Sequence, residues 1–149
     1  MDPVMLAVLP RTPSVLDLVA QYLDLKAKRS SAAQQLKLSE LFDGLSLYFD
    51  AALPVTLLYA NERAQFDALS AAHSGTRPSK LYGVEHLLRL FTKLPAVLGN
   101  APMASLERSQ LQAQLGEFLK HIQKNAATLF SPYEVWEKER TPPPPAQAD

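Results

Sequence analysis

Three histidines, fifteen acidic side chains and no cysteine are the raw material for chemistry in this chain. A metal centre needs imidazole and carboxylate ligands that converge. The His-x-x-x-His and Glu-x-x-His spacings that achieve this on a helix are absent, and His73, His86 and His121 fall in a loop and two separate helical segments. All three read as surface or boundary residues. Glu85 precedes His86, which invites an acid–base mechanism, but neighbours on a helix point about 100° apart, so a structural role is expected of both. Serines are plentiful without a Gly-x-Ser-x-Gly elbow, and the five glycines form no phosphate loop. The absence of cysteine excludes thiolate ligands, a cysteine nucleophile and a disulfide framework, and fits a reducing compartment. No catalytic reaction, metal or cofactor is expected. Lys26, Lys28 and Arg29 form the tight cationic cluster. They suit a phosphate contact or a nuclear-import patch, but basic residues ending a helix also complement its dipole, which is the preferred reading.

The remaining candidates are apolar. Tyr59, Phe91, Phe118, Phe130 and Trp136 are core residues by default, as apolar side chains at helical spacing usually are. The alternative is that some of them line a groove between helices that receives an apolar segment of another chain. Periodicity alone does not choose between the two.

The elements that must position these residues are helical. With 149 residues, 47% of them hydrophobic and 20% charged, the chain has the composition of one globular domain. Fifteen basic residues balance fifteen acidic ones, so no global field draws nucleic acid or an anionic membrane. Apolar runs fall far short of the ~20 residues that span a bilayer, and the N-terminus lacks the basic start of a signal peptide. Residues 1–12, in which the short apolar run from Leu6 to Leu9 is ended by Pro10, read as an extended strap, and 13–136 as the helical domain. The Pro-rich stretch 137–149 reads as a disordered tail. Within the domain, helices are expected at 13–28, capped by Thr12, at 37–52 after a polar loop, at 63–72, at 80–99 and at 105–127. Gly44 marks close packing or a weak spot in the helix at 37–52.

The segment KLYGVEHLLRLFTKLPAVLG at 80–99 keeps the longest single apolar face. Leu81, Val84, Leu88 and Phe91 define that face, widened by Leu87, Leu94 and Leu98. Glu85, Arg89 and Lys93 lie opposite, with Glu85 and Arg89 in the favourable i,i+4 order for an ion pair facing water or a partner. Pro95 predicts a break or kink near Lys93 and Leu94.

LYGVEHLLRLFTKLP at 81–95 and FLKHIQKNAATLFSPYEV at 118–135 resemble the MRG domain of the mortality-factor-related family of chromatin proteins. LLYANERAQF at 57–66 and LPRTPSVLDLVAQY at 9–22 are similar to further blocks of that family. The resemblance implies an all-α domain of orthogonally packed helices, in some members with a small β-hairpin. It also implies a non-catalytic interaction module of nuclear histone acetyltransferase and deacetylase complexes. Partners of such domains insert hydrophobic segments, often Phe-x-Leu-Pro, into a shallow groove. By position, the groove residues here are Tyr59, Thr92 and Lys93, extending to Ala96 and Val97. Three departures accompany the match. These residues leave no room for the chromodomain of many members, so reading of histone marks is not implied. The family's acidic, Trp-containing segment ahead of the Leu-Pro strap is missing, and Thr92 stands where an apolar residue is usual. The competing expectation is a nucleic-acid-binding helical domain, against which the balanced charge weighs.

Overall fold

The computed structural model describes residues 5–6, 9–100, 102–125 and 134–135. Phe130, Trp136 and the stretch 137–149 lie outside the described residues. The chain is all-α. Six helices, α1 (Val15–Ala27), α2 (Ala32–Ala52), α3 (Arg63–Ala72), α4 (Pro78–Leu81), α5 (Val84–Asn100) and α6 (Ser105–Lys124), are found among the described residues. A π-helical turn, Leu53–Leu57, and a 3-10 turn, Ala60–Glu62, lead from α2 into α3. In place of the expected small β-hairpin, two strands remote in sequence pair antiparallel: β1 (Met5–Leu6) lies against β2 (Glu134–Val135), with Met5 opposite Val135.

Local chemistry sets the first two helix starts. Ser14, two residues after the expected cap Thr12, closes a capping box: its hydroxyl accepts the Asp17 N–H at 3.2 Å and the Asp17 carboxylate accepts the Ser14 N–H at 3.0 Å. Ser31 and Gln34 repeat the arrangement, so α2 begins at Ala32, where a polar loop was expected. The core draws on α1, α2, α5 and α6. Phe42, Phe118 and Tyr22 stack with ring centroids 4.9 to 5.5 Å apart, among Leu18, Leu53, Leu57, Leu87 and Leu90.

The segment 80–99 is divided at Tyr82 and Gly83, and α5 runs unbroken through Pro95. The strap decides the break. Arg11 N–H donates to the Leu81 carbonyl and Val15 N–H to the Tyr82 carbonyl, both at 2.8 Å. A Cβ on Gly83 would collide with the Arg11 side chain and meet the Pro13 carbonyl oxygen at 3.0 Å, so the strap approaches where only glycine fits. Pro95 sits on the exposed side of α5, while Leu94 and Leu98 pack on the core and hold the helix across the missing bond.

The buried face of α5 is also turned from the one expected. Val84, His86, Leu87, Leu90 and Leu94 are buried, whereas Leu88, Phe91 and Leu98 are only partly covered. His86 and His73 are core residues rather than surface ones. The Glu85–Arg89 pair does not form among the described residues. Glu85 takes Arg11, with three contacts of 2.8 to 3.1 Å, and Arg89 takes Glu62. A remote partner wins in each case because it pairs a charge where water is excluded, an arrangement that an exposed i,i+4 pair cannot match. Gly44 has nothing within 4 Å of where its Cβ would lie, so it does not mark close packing.

Candidate functional site

Glu62 is the last residue of the 3-10 turn, and its side chain is 1% exposed. Its Oε1 accepts the Tyr59 backbone N–H at 2.8 Å and an Arg89 N–H at 2.5 Å, while its Oε2 lies 3.0 Å from His86 Nε2. An ionised carboxylate only accepts, so His86 carries its proton on Nε2. Arg89 also donates to the Leu57 carbonyl at 3.0 Å. Burial by itself would push the Glu62 carboxyl up, but the hydrogen bonds from His86, Arg89 and Tyr59 together hold it down at about 2. Burial pushes His86 down despite the carboxylate beside it, leaving it neutral at pH 7, and burial pushes the Tyr82 hydroxyl up. The Tyr82 ring packs edge-on against His86 with centroids 4.5 Å apart.

This buried cluster ends at the surface in Tyr59. The Arg89 guanidinium lies 3.9 Å from the Tyr59 ring centroid, and Tyr59 is 61% exposed, far from the core position that its apolar character suggests. Thr92, Lys93 and Ala96 follow Arg89 at steps of three, four and seven, so they continue the same side of α5, and all three are exposed. The Thr92 hydroxyl donates to the Arg89 carbonyl at 2.7 Å. Val97 stands at the edge of this stripe and lines a cleft of about 360 Å³ between α2, α5 and α6, floored by Leu41, Leu45, Leu94 and Leu115. Sequence spacing could have placed Thr92, Lys93 and Ala96 beside one another. Glu62 was missed as the organiser of the site, although its position three residues after Tyr59 matches the reach-back of a capping-box acid.

Elsewhere, Ser14, Asp17 and His73 line one cleft of about 330 Å³. Ser14 and Asp17 are committed to each other as a helix cap and neither bonds His73, so the trio lacks the relay that activates a serine. No group of three or more histidine or acidic side chains able to hold a metal occurs among the described residues. In the cationic cluster, Lys26 is bound to Glu117 at 2.7 Å and lies over the Tyr22 ring. No single helix among the described residues is long and apolar enough to cross a membrane.

Comparison with known proteins adds the ancestry. Over 124 residues the chain is 42% identical to Protein MRG1 of Arabidopsis thaliana, covering 83% of this chain and 38% of that protein. It is 35% identical over 130 residues to human mortality factor 4-like protein 1, covering 85% and 36%. A NuA4 complex subunit EAF3 homolog of Dictyostelium discoideum is 34% identical over 122 residues, covering 82% and 31%. The chain thus matches about a third to two fifths of the length of these relatives. The sequence model of the MRG family matches residues 3–137, and the chain belongs to that family.

Proposed function

We propose that this chain is a non-catalytic interaction module of a nuclear histone acetyltransferase or deacetylase complex. In this reading it binds hydrophobic, Phe-x-Leu-Pro-like segments of partner subunits on the stripe of Tyr59, Thr92, Lys93, Ala96 and Val97. The observation that carries the reading is the exposed Tyr59 ring, supported on one face by Arg89 and open to a partner on the rest. Large aromatic rings held in place are the side chains that concentrate binding energy at interfaces. Thr92 suits the role because its hydroxyl is engaged by the Arg89 carbonyl, which leaves its methyl group to a partner much as valine would. The Lys93 stem adds apolar cover while its ammonium remains in water. A relative named as a NuA4 complex subunit supports the assignment to chromatin complexes, and through it the nuclear location. The side chains that resemble catalytic sets are occupied by capping and core pairing, which favours binding over catalysis.

The test is affinity purification from nuclear extract with the wild-type chain, Tyr59→Ala and Lys93→Glu. Acetyltransferase or deacetylase subunits are expected with the wild type and lost with both variants at unchanged helicity. Undiminished capture by both variants would overturn the groove.

A further inference from the structure

We infer that Glu62 is the positioning residue of the partner groove: one buried carboxylate holds the Tyr59 backbone and the Arg89 guanidinium together, presetting the aromatic platform before a partner arrives. The inference rests on the groove reading above.

The geometry converges on a single side chain. Oε1 receives both the Tyr59 N–H and Arg89, so the backbone that carries the ring and the cation beneath it share one acceptor. His86 Nε2–H on Oε2 fixes how the carboxylate is turned. Arg89 donates to the Leu57 carbonyl as well, so the segment on both sides of Leu58 is stapled to α5. A tyrosine this exposed gains little order from packing and would otherwise sample several rotamers. Arg89 beneath the ring restricts it, and Arg89 is itself restrained by Glu62. Preorganisation of this kind raises affinity without adding a contact to the ligand, because ordering is completed before binding. Glu62 never touches the partner in this arrangement, and its effect passes through Tyr59 and Arg89.

Loss of stability alone must be separated from loss of positioning. Glu85→Gln supplies the control, since it breaks a comparably buried ion pair, that of Arg11 with a residue one turn before Arg89 on α5. The probe is a fluorescent synthetic peptide bearing one Phe-x-Leu-Pro segment, titrated at a temperature where every variant is folded by circular dichroism. Glu62→Gln is expected to weaken binding tenfold or more and Glu85→Gln less than twofold. Adding Glu62→Gln to Tyr59→Ala should weaken binding by less than threefold further. In proton NMR the Arg89 side-chain resonances, shielded by the Tyr59 ring current, should move towards unshielded values in Glu62→Gln and stay in place in Glu85→Gln. Wild-type affinity in Glu62→Gln beside a weakened Tyr59→Ala, or equal losses in Glu62→Gln and Glu85→Gln, would overturn the inference and leave the groove standing. If the wild-type chain binds no such peptide, the groove reading fails, and Arg89 shielding that persists in Glu62→Gln would sink the positioning role as well. Should Glu62→Gln unfold, Glu62→Asp keeps the charge but withdraws it from the Tyr59 N–H, and threefold weaker binding is expected. Unchanged affinity there would overturn the inference.

Discussion

Arg11 and Glu85, 74 positions apart, form a forked ion pair in which Nε donates to both carboxylate oxygens at 3.1 Å and one terminal nitrogen donates at 2.8 Å. Their side chains are 6% and 8% exposed, so the strap before α1 is joined to the first turn of α5 by charges removed from water. Breaking such a pair leaves a buried charge uncompensated, at a cost of about 3–5 kcal/mol. Arg11→Ala should therefore lower the urea midpoint by a large fraction of its value. Arg11→Met combined with Glu85→Met should recover most of that loss, and a double variant no more stable than Arg11→Ala would refute the explanation.

Gly83 lets this joint close. In Gly83→Ala the new methyl meets the Arg11 side chain and the Pro13 carbonyl, atoms fixed by the ion pair and by the start of α1. Overpacking of this sort costs about 1–3 kcal/mol. Chemical denaturation should show that loss, whereas Gly99→Ala, with open space around its Cβ, should show none.

Gly44 offers the opposite change. Its Cβ position is empty for 4 Å around, in the middle of α2, so alanine gains helix propensity and meets nothing. Gly44→Ala should stabilise the chain by about 0.5–1 kcal/mol. A lowered thermal midpoint would show that the site needs glycine for a reason other than space.

Acid should weaken the fold in two stages. His86 is pushed below its usual 6.5 by burial, so below that pH the unfolded chain binds a proton the folded one refuses, and stability falls. Glu62 is held at about 2 against a usual value of 4.5; its contribution is complete above 4.5 and disappears as the pH falls towards 2. A displacement of this size corresponds to roughly 3 kcal/mol. Urea midpoints measured from pH 7 to pH 2 should decline throughout. The decline below 4.5 should be shallower in Glu62→Gln, and an identical slope would contradict the assignment.

At the proposed groove, Tyr59→Ala should weaken binding of a Phe-x-Leu-Pro peptide tenfold or more while leaving the thermal midpoint nearly unchanged, because the ring is mostly in water in the free chain. Titration by fluorescence anisotropy together with a thermal melt checks both halves. A large stability loss would mean that Tyr59 serves the fold instead.

The sequence patterns carried the helical content well, since apolar steps of three and four residues survive in any all-α packing. The starts of α1 and α2 were also encoded locally, by Ser14 with Asp17 and by Ser31 with Gln34, although the polar side chains around Ser31 favoured a loop there. Ancestry was legible too, in blocks such as LYGVEHLLRLFTKLP, and the family match over residues 3–137 bears it out.

Taken alone, then, the sequence determined the all-α class, the order of the helices and the family, because these follow from local propensity, periodicity and blocks of matching residues. Tertiary structure decided which charges are buried and with whom. The spacing of Glu85 and Arg89 favoured their mutual pair, yet folding brought Arg11 and Glu62 to them from remote segments and excluded water from both contacts. It also decided that the chain breaks at Gly83 rather than Pro95, because the obstacle is the strap, which no window around either residue contains. And it placed Tyr59 on the surface over Arg89: a tyrosine's period says which side of an element it occupies, while its exposure depends on what the rest of the molecule packs there.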